Sequence, residues 1–255
     1  MNPTPVSLTD EIPSALARQL QQAQHIAVLT GAGMSAESGV PTFREARTGL
    51  WARYDPMELA TSAAFERDPR RVWDWYQWRR ELIDHSRPNA GHHALAALQH
   101  SCAHVTLVTQ NVDGFHQLAG SEPVLELHGN IRRSVCSRSR REIEPDWLDR
   151  HRDRSPVPSP HHPDGLARPD VVWFGEPLRA DLLDAAFQAA ADCDLMLVVG
   201  TSGLVQPAAS IPVVAVEHGA IMVEINPAAS ELTRRARWHL QGSSAAWLPR
   251  LVDSL

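Results

Sequence analysis

Four times along this chain a short run of apolar residues ends in a cluster of small or polar ones. Ile26-Ala27-Val28-Leu29-Thr30 runs into Gly31-Ala32-Gly33, and Val105-Thr106-Leu107-Val108-Thr109 into Gln110-Asn111-Val112-Asp113-Gly114. Leu195-Met196-Leu197-Val198-Val199 runs into Gly200-Thr201-Ser202-Gly203, and Ile221-Met222-Val223-Glu224-Ile225 into Asn226-Pro227. Strands that are apolar throughout have no water-facing side, so they belong to a parallel sheet covered on both faces. Intervening stretches such as residues 12–23 read as the covering helices. The expected fold is α/β: a Rossmann-like parallel sheet with helices on both faces. Sheets of this kind bind ligands beyond the carboxyl ends of their strands, where the small and polar residues lie.

Two stretches break the rhythm. Residues 46–88 are rich in Trp and Arg and read as helical, with Trp73, Trp75, Tyr76, Trp78 and Arg79 close together. Residues 131–169 are dense in arginine and then in proline, and the prolines between 156 and 163 exclude both helix and central strand. The expected organisation is a nucleotide-binding domain from residues 1–45, 89–130 and 170–255. The two insertions, 46–88 and 131–169, form a smaller lobe.

A composition of 43% hydrophobic and 21% charged residues over 255 positions excludes a disordered or fibrous chain. The net charge of -6 gives no bulk attraction to nucleic acid or to an anionic membrane. There is no lysine, so all 24 basic residues are arginine. Cys102, Cys136 and Cys193 form no close pair, which argues against a disulfide framework and for a reducing compartment. The N-terminal residues do not resemble a signal peptide, and no apolar run approaches the roughly 20 residues that cross a bilayer. A soluble cytoplasmic protein is expected, with neither nucleic-acid nor membrane partners.

Glycines after a strand let the backbone approach a pyrophosphate, while free N–H groups of the following helix face its charge. Gly31-Ala32-Gly33 lacks a third glycine at the usual offset, Gly39 falling too late, so a tight strand-to-helix turn accounts for it equally well. The longer context carries more. Gly31-Ala32-Gly33-Met34-Ser35-Ala36-Glu37-Ser38-Gly39-Val40-Pro41-Thr42-Phe43-Arg44 closely resembles the signature loop of the sirtuins, the NAD-dependent protein deacylases. Thr109-Gln110-Asn111-Val112-Asp113 and Leu127-His128-Gly129-Asn130 resemble that family's second and third motifs. Asp170-Val171-Val172-Trp173-Phe174-Gly175-Glu176, Gly200-Thr201-Ser202 and Asn226-Pro227 complete the set in the family's order.

The resemblance implies a reaction in which the carbonyl oxygen of an acyl-lysine attacks the nicotinamide ribose of NAD, nicotinamide leaves, and the acyl group ends on ADP-ribose. His128 matches the histidine that helps deprotonate a ribose hydroxyl, a task suited to an imidazole with an ordinary pKa of about 6.5. Asn111 and Asp113 match residues lining the nicotinamide pocket, whose carboxamide requires a donor and an acceptor. Gly31, Ala32, Gly33, Ser35, Gln110, Gly200, Thr201, Ser202 and Asn226 match cofactor contacts, Gln110 and Asn226 at riboses and Gly200 to Ser202 at the adenosine and phosphates. Phe43 and Arg44 match a loop covering the cofactor; Thr42 stands where many members carry Asp. Residues 171–176 resemble the strand that pairs with an extended acyl-lysine peptide, which nominates Val171, Trp173, Phe174 and Gly175 as substrate contacts.

Tyr76 and Arg79 lie three apart on one helical face, and with Ala60 they resemble the acyl pocket of the sirtuin branch that removes succinyl, malonyl or glutaryl groups. A guanidinium binds an acyl carboxylate bidentately and a phenol adds a further hydrogen bond. Arg79-Arg80 beside Glu81 also fits a solvated helix face. The presence of His128, Asn111 and Asp113 argues against a silent NAD-binding module. Tyr76, Arg79 and the peptide-pairing strand argue against an NAD glycohydrolase or ADP-ribosyltransferase.

The family's structural zinc, held by two Cys-x-x-Cys pairs, finds a poor match. Cys136 occupies the first ligand position, but Ser139, Pro160 and Pro163 occupy the others. His161 and His162 are adjacent, and neighbouring imidazoles rarely converge on one ion, so no bound metal is expected.

Overall fold

The computed structural model describes residues 3–40, 59–102 and 104–255. Seven strands form one sheet: β1 (Thr4–Ser7), β2 (Ile26–Thr30), β3 (Val105–Thr109), β4 (Val124–Glu126), β7 (Leu195–Val199), β8 (Ile221–Asn226) and β9 (Trp238–Gln241). Their order is β1-β9-β8-β7-β2-β3-β4, and every pairing is parallel. Thr30 lies opposite both Thr109 and Val199, and Val199 opposite Ile225. This common register brings the loops after β2, β3, β7 and β8 to one edge of the sheet, which is where a ligand cleft is required.

Alternate residues of each strand enter different cores, as the doubly apolar runs require. Ile26, Val28, Leu107, Leu195, Leu197 and Val223 pack against Leu16 and Leu20 of α1 (Ser14–Gln22). The same core takes up Leu95 and Leu98, with Trp247, Leu248 and Leu251 from further along the chain. Ala27, Leu29, Val108, Met196, Val198 and Met222 form the opposite core with Ala186, Ala190, Ile211 and Ala215. Among the described residues the remaining α-helices are α2 (Ser62–Arg67), α3 (Pro69–Asp84), α4 (Ala90–Ser101), α5 (Phe115–Leu118), α6 (Pro145–Arg150), α7 (Ala180–Asp192), α8 (Ile211–Glu217) and α9 (Ser244–Val252). Helices α1, α4 and α9 thus cover one face, and α7 and α8 the other. Among the described residues no helix is long and apolar enough to cross a membrane.

A second, two-stranded sheet pairs β5 (Gly129–Cys136) antiparallel with β6 (Ala167–Val171). Ile131, Val171 and Trp173 pack against Phe65 of α2 and Val72, Trp75, Tyr76 and Ile83 of α3. Helix α3 starts where Asp68 accepts a hydrogen bond from Arg71 N and Pro69 takes the first turn, where its missing N–H costs nothing. Arg80 is not part of a solvated face. Its Nε donates to Ile131 O at 2.6 Å and its Nη2 to Arg133 O and Ser134 Oγ, each at 2.9 Å, pinning α3 to β5. Burial pulls its pKa down to about 10, although the nearby Asp84 opposes the shift.

The peptide-pairing segment expected over residues 171–176 is regular strand only at Val171. Beyond it the backbone turns: Trp173 N donates to Glu176 Oε2 at 3.0 Å, Glu176 N donates to Trp173 O at 2.9 Å, and Gly175 takes a φ of +86°. Glu176 organises this turn, accepting also from Ser62 Oγ and from both Arg168 Nη atoms. Burial alone would push its carboxyl pKa up, but Arg168, Trp173 N–H and Ser62 outweigh that and bring it to about 2.

Candidate active site

The loops after β2 and β7 cross in direct backbone contact. Gly31 N donates to Val199 O at 2.9 Å and Gly33 N to Gly200 O at 2.8 Å. A Cβ on Gly31 would fall 2.8 Å from Thr201 Cβ, and one on Gly33 2.8 Å from Gly200 Cα. Gly200 has a φ of +62°, and its Cβ would meet Met34 N at 2.4 Å. Gly200→Ala is therefore expected to destabilise the protein by about 2–4 kcal/mol, through a left-handed backbone and a rigid clash together. Chemical denaturation reads this as a lower midpoint at unchanged slope.

Under that crossing lies a buried polar cluster. Ser35 Oγ donates to Asp113 Oδ2 at 2.7 Å, and Asn111 Nδ2 donates to Gly31 O at 3.0 Å and Ser35 Oγ at 3.3 Å. Asp113 Oδ1 accepts from Phe115 N at 2.9 Å, fixing the carboxyl at the start of α5. Burial raises the Asp113 pKa, opposed by the Phe115 and Ser35 hydrogen bonds. Sequence reasoning missed His92, which is wholly buried on α4 and approaches Ser35 Oγ through Nε2 at 3.4 Å. Its Nδ1 accepts from Asn89 N at 3.2 Å, so Nε2 carries the proton. Burial, with His116 adding to it, drives the His92 pKa down to about 3 and keeps the ring neutral. The available signal was the Asn89-x-x-His92 spacing of a capping box.

His128 stands between β4 and β5, half-buried. Its Nδ1 lies 2.9 Å from Gln110 O, and since a carbonyl only accepts, Nδ1 holds the hydrogen and Nε2 the free lone pair. Burial lowers the His128 pKa and the Gln110 hydrogen bond partly restores it. The next residue, Gly129, has a φ of +79°, and a Cβ there would be 2.1 Å from Asp170 O. Val172 N donates to His128 O at 2.9 Å, so the imidazole is tied to the second sheet as well.

Gln110 Nε2 reaches Thr201 Oγ1 at 3.0 Å, and Asn226 Nδ2 reaches Thr201 O at 2.8 Å. The strand ends thus carry a continuous line of side chains from His128 to Asn226. Ala32 and Ser202 are half-buried on the same line of loops. Phe43 and Arg44, together with Thr42, lie outside the described residues.

Tyr76 and Arg79 come together as their spacing predicts. Tyr76 is 2% exposed and its oxygen accepts from Trp173 Nε1 at 3.0 Å. The Arg79 guanidinium lies 4.9 Å from the Trp75 ring centre and 5.6 Å from that of Tyr76. Burial lowers its pKa, and the nearby Tyr76 and Asp113 favour its charge. No carboxylate forms an ion pair with Arg79 among the described residues. Ala60 belongs to the same apolar cluster as Tyr76, and its carbonyl accepts from Phe174 N at 2.9 Å. The side chains of Val171 and Trp173 are also interior, 3% and 2% exposed. Phe174, 41% exposed, and Gly175 present the outer surface of that turn.

Near Cys136 the donors do not fit a tetrahedral metal. Its sulfur accepts from Ser139 N at 3.4 Å. His161 Nε2 is turned to Glu142 O at 2.7 Å, and His162 Nδ1 accepts from Asp164 N at 3.1 Å. Cys136 packs instead with Trp73, Ile143, Val157 and Ala167, bordered by Trp147 and Leu148. Among the described residues no three His, Cys, Asp or Glu side chains are grouped to hold a metal ion.

A doubly covered parallel sheet with a glycine crossing and a line of polar groups at its strand ends defines a dinucleotide-binding α/β protein. Residues 31–207 match the Sir2 family. A Pseudomonas aeruginosa protein named NAD-dependent protein deacylase 1 is 50% identical over 244 residues, covering 93% of this chain and 97% of its own. NAD-dependent protein deacylase 2 of Pyrobaculum aerophilum is 50% identical over 240 residues, covering 94% of each. Among solved structures, a Sir2 homologue in complex with NAD superposes with a TM-score of 0.88 at 37% identity, covering 99% of this chain and 95% of that one. The chain belongs to the Sir2 family.

Proposed function

We propose that this chain is an NAD-dependent protein-lysine deacylase that prefers acyl groups ending in a carboxylate, succinyl and malonyl above acetyl. The observation that carries the preference is Arg79: a half-buried guanidinium beside a buried phenol, with no ion-pair partner among the described residues. Its burial costs energy that an acyl carboxylate would offset, through charge-assisted hydrogen bonds worth about 1.5–3 kcal/mol. The deacylase reading is supported by the named relatives and by the donor chemistry of the cleft.

The cleft suits NAD on two grounds. Gly31, Gly33 and Gly200 let the loops after β2 and β7 pack backbone to backbone at the strand ends, and Asn111, Ser35 and Asp113 gather there the donor and acceptor types a carboxamide needs. Bound NAD would supply the electrophilic ribose carbon and the nicotinamide leaving group. Gly31, Ala32, Gly33, Ser35, Gln110, Gly200, Thr201, Ser202 and Asn226 would hold it, with Phe43 and Arg44 added on sequence grounds. Asn111 and Asp113 orient the nicotinamide end. His128 accepts a ribose hydroxyl proton at Nε2, its Nδ1–H fixed by Gln110 O. Phe174 and Gly175 meet the peptide, while Ala60, Tyr76 and Arg79 enclose the acyl group.

The test is stoichiometric: nicotinamide released against acyl groups lost from a succinyl-lysine peptide. A ratio of one supports the assignment. Nicotinamide release with no change in peptide mass would replace it with a glycohydrolase or transferase.

The lobe around Cys136 is read as holding no structural zinc, because its imidazoles are committed elsewhere and an apolar cluster fills the place. Metal analysis of purified protein should give substoichiometric zinc, and a chelator should leave the melting temperature unchanged. One zinc per chain would contradict the reading. The three cysteines are unbonded, which fits a cytoplasmic setting.

A further inference from the structure

Glu224 interrupts the apolar run of β8 and is 0% exposed, yet none of the chemistry above uses it. Its Oε1 accepts from Asn226 Nδ2 at 3.1 Å and from the Ser230 hydroxyl, and its Oε2 accepts from the Thr233 hydroxyl. Those hydroxyls are themselves acceptors, Ser230 Oγ from Leu232 N at 3.0 Å and Thr233 Oγ1 from Ser230 N at 2.7 Å. Glu224 is thus the acceptor in all three bonds, and each donor hydroxyl is itself fixed by a backbone N–H. Its hydrogen-bond partners are all neutral, and no ion pair reaches it among the described residues.

The carboxylate dictates what Asn226 offers. One Nδ2 proton goes to Glu224 Oε1 and the other to Thr201 O at 2.8 Å. With both acceptors on the nitrogen side, the amide has a single orientation, and Oδ1 is left for a ligand. An acceptor backed by a buried anion takes a hydroxyl proton and repels a phosphate. The position is also specific. Strand β8 is four places from β4 in the sheet, about 19 Å at the usual strand spacing, so Asn226 serves the end of an elongated ligand remote from His128. NAD and NADP differ only there, by a phosphate on the 2′-hydroxyl of the adenosine ribose.

We propose that Glu224, acting through Asn226, is the positioning residue that makes the site accept NAD and exclude NADP. This rests on the assignment of Asn226 to the ribose end of the cofactor. The only cations that follow on the same turn, Arg234 and Arg235, are exposed and would favour the phosphate if they reached it.

The experiment compares the Kd of NAD and NADP, measured by titration calorimetry without peptide, and their kcat/KM with one acyl peptide, in the wild-type enzyme and in Glu224→Gln. The wild-type enzyme should prefer NAD by roughly 100-fold or more, and Glu224→Gln should narrow that ratio by roughly tenfold or more through gained NADP turnover. A general loss of structure would lower both cofactors together and leave the ratio unmoved. Should Glu224→Gln not fold, the wild-type enzyme is assayed with NAD analogues lacking the 2′- or 3′-hydroxyl of the adenosine ribose. Loss of roughly tenfold in kcat/KM with one of them supports the proposal. Equal use of NAD and NADP by the wild-type enzyme, an unchanged ratio in a folded Glu224→Gln, or full activity with both deoxy analogues would overturn it. No nicotinamide release from either cofactor would instead remove the NAD assignment of the cleft, and this inference with it.

Discussion

The His128→Ala protein is expected to lose NAD-dependent deacylation by roughly 10²- to 10⁴-fold, the range for removal of a positioned general base. NAD affinity should change little, because the glycine crossing of Gly31, Gly33 and Gly200 and the Asn111–Ser35–Asp113 cluster do not depend on the imidazole. The base must be neutral to act. Its pKa is pulled below the ordinary 6.5 by burial, so wild-type activity should be full near neutrality and fall as the pH drops through a midpoint below 6.5. The limb should vanish from the residual activity of His128→Ala. Unchanged turnover in that variant, or a wild-type midpoint above 6.5, would place the base elsewhere.

The second large effect belongs to Arg79. Arg79→Met should depress desuccinylation by roughly 10- to 150-fold, corresponding to about 1.5–3 kcal/mol for charged hydrogen bonds to the acyl carboxylate. Deacetylation should change far less, since an acetyl group presents no charge to the guanidinium. Methionine keeps much of the length and apolar contact with Trp75 and Tyr76, which separates lost charge from lost packing. Parallel losses on both peptides would make Arg79 a structural residue of α3, in the manner of Arg80.

The four apolar runs announced the centre of the sheet because each is covered on two faces, and burial of that kind leaves few polar residues in the run. Strands β1 and β9 carry no such mark. Three of the four residues of Thr4–Ser7 are exposed, Pro5 is among them, and the strand exists through its parallel pairing with Trp238–Gln241 at the sheet edge. The residues proposed for the reaction and the cofactor could be nominated because they cluster in contiguous motifs at strand ends. His92 and Glu224 were not, since each acts through a neighbour that only the fold supplies: His92 through Ser35, Glu224 through Asn226. Glu224 did carry a visible signal, one acidic residue in a strand otherwise apolar. The turn after Val171 was not legible for a related reason. Its extended composition is overridden by the Glu176 carboxylate, which captures Trp173 N and folds the chain into a turn. Trp173 is buried by the same turn, as a donor to Tyr76.

On the proposed reading the site has two separable halves: one, around His128, Asn111 and Asp113, would serve the reaction, and the other, around Ala60, Tyr76 and Arg79, the choice of acyl group. The two meet at Arg79, whose charge is favoured by both Tyr76 and Asp113.

The most direct measurement is NAD-dependent turnover of two peptides identical except for acetyl-lysine or succinyl-lysine, followed by peptide mass and nicotinamide release. A kcat/KM for the succinyl peptide above that for the acetyl peptide by roughly tenfold or more is the predicted result. An acetyl peptide turned over as well as or better than its succinyl counterpart would contradict the assignment of Tyr76 and Arg79 to an acidic acyl group.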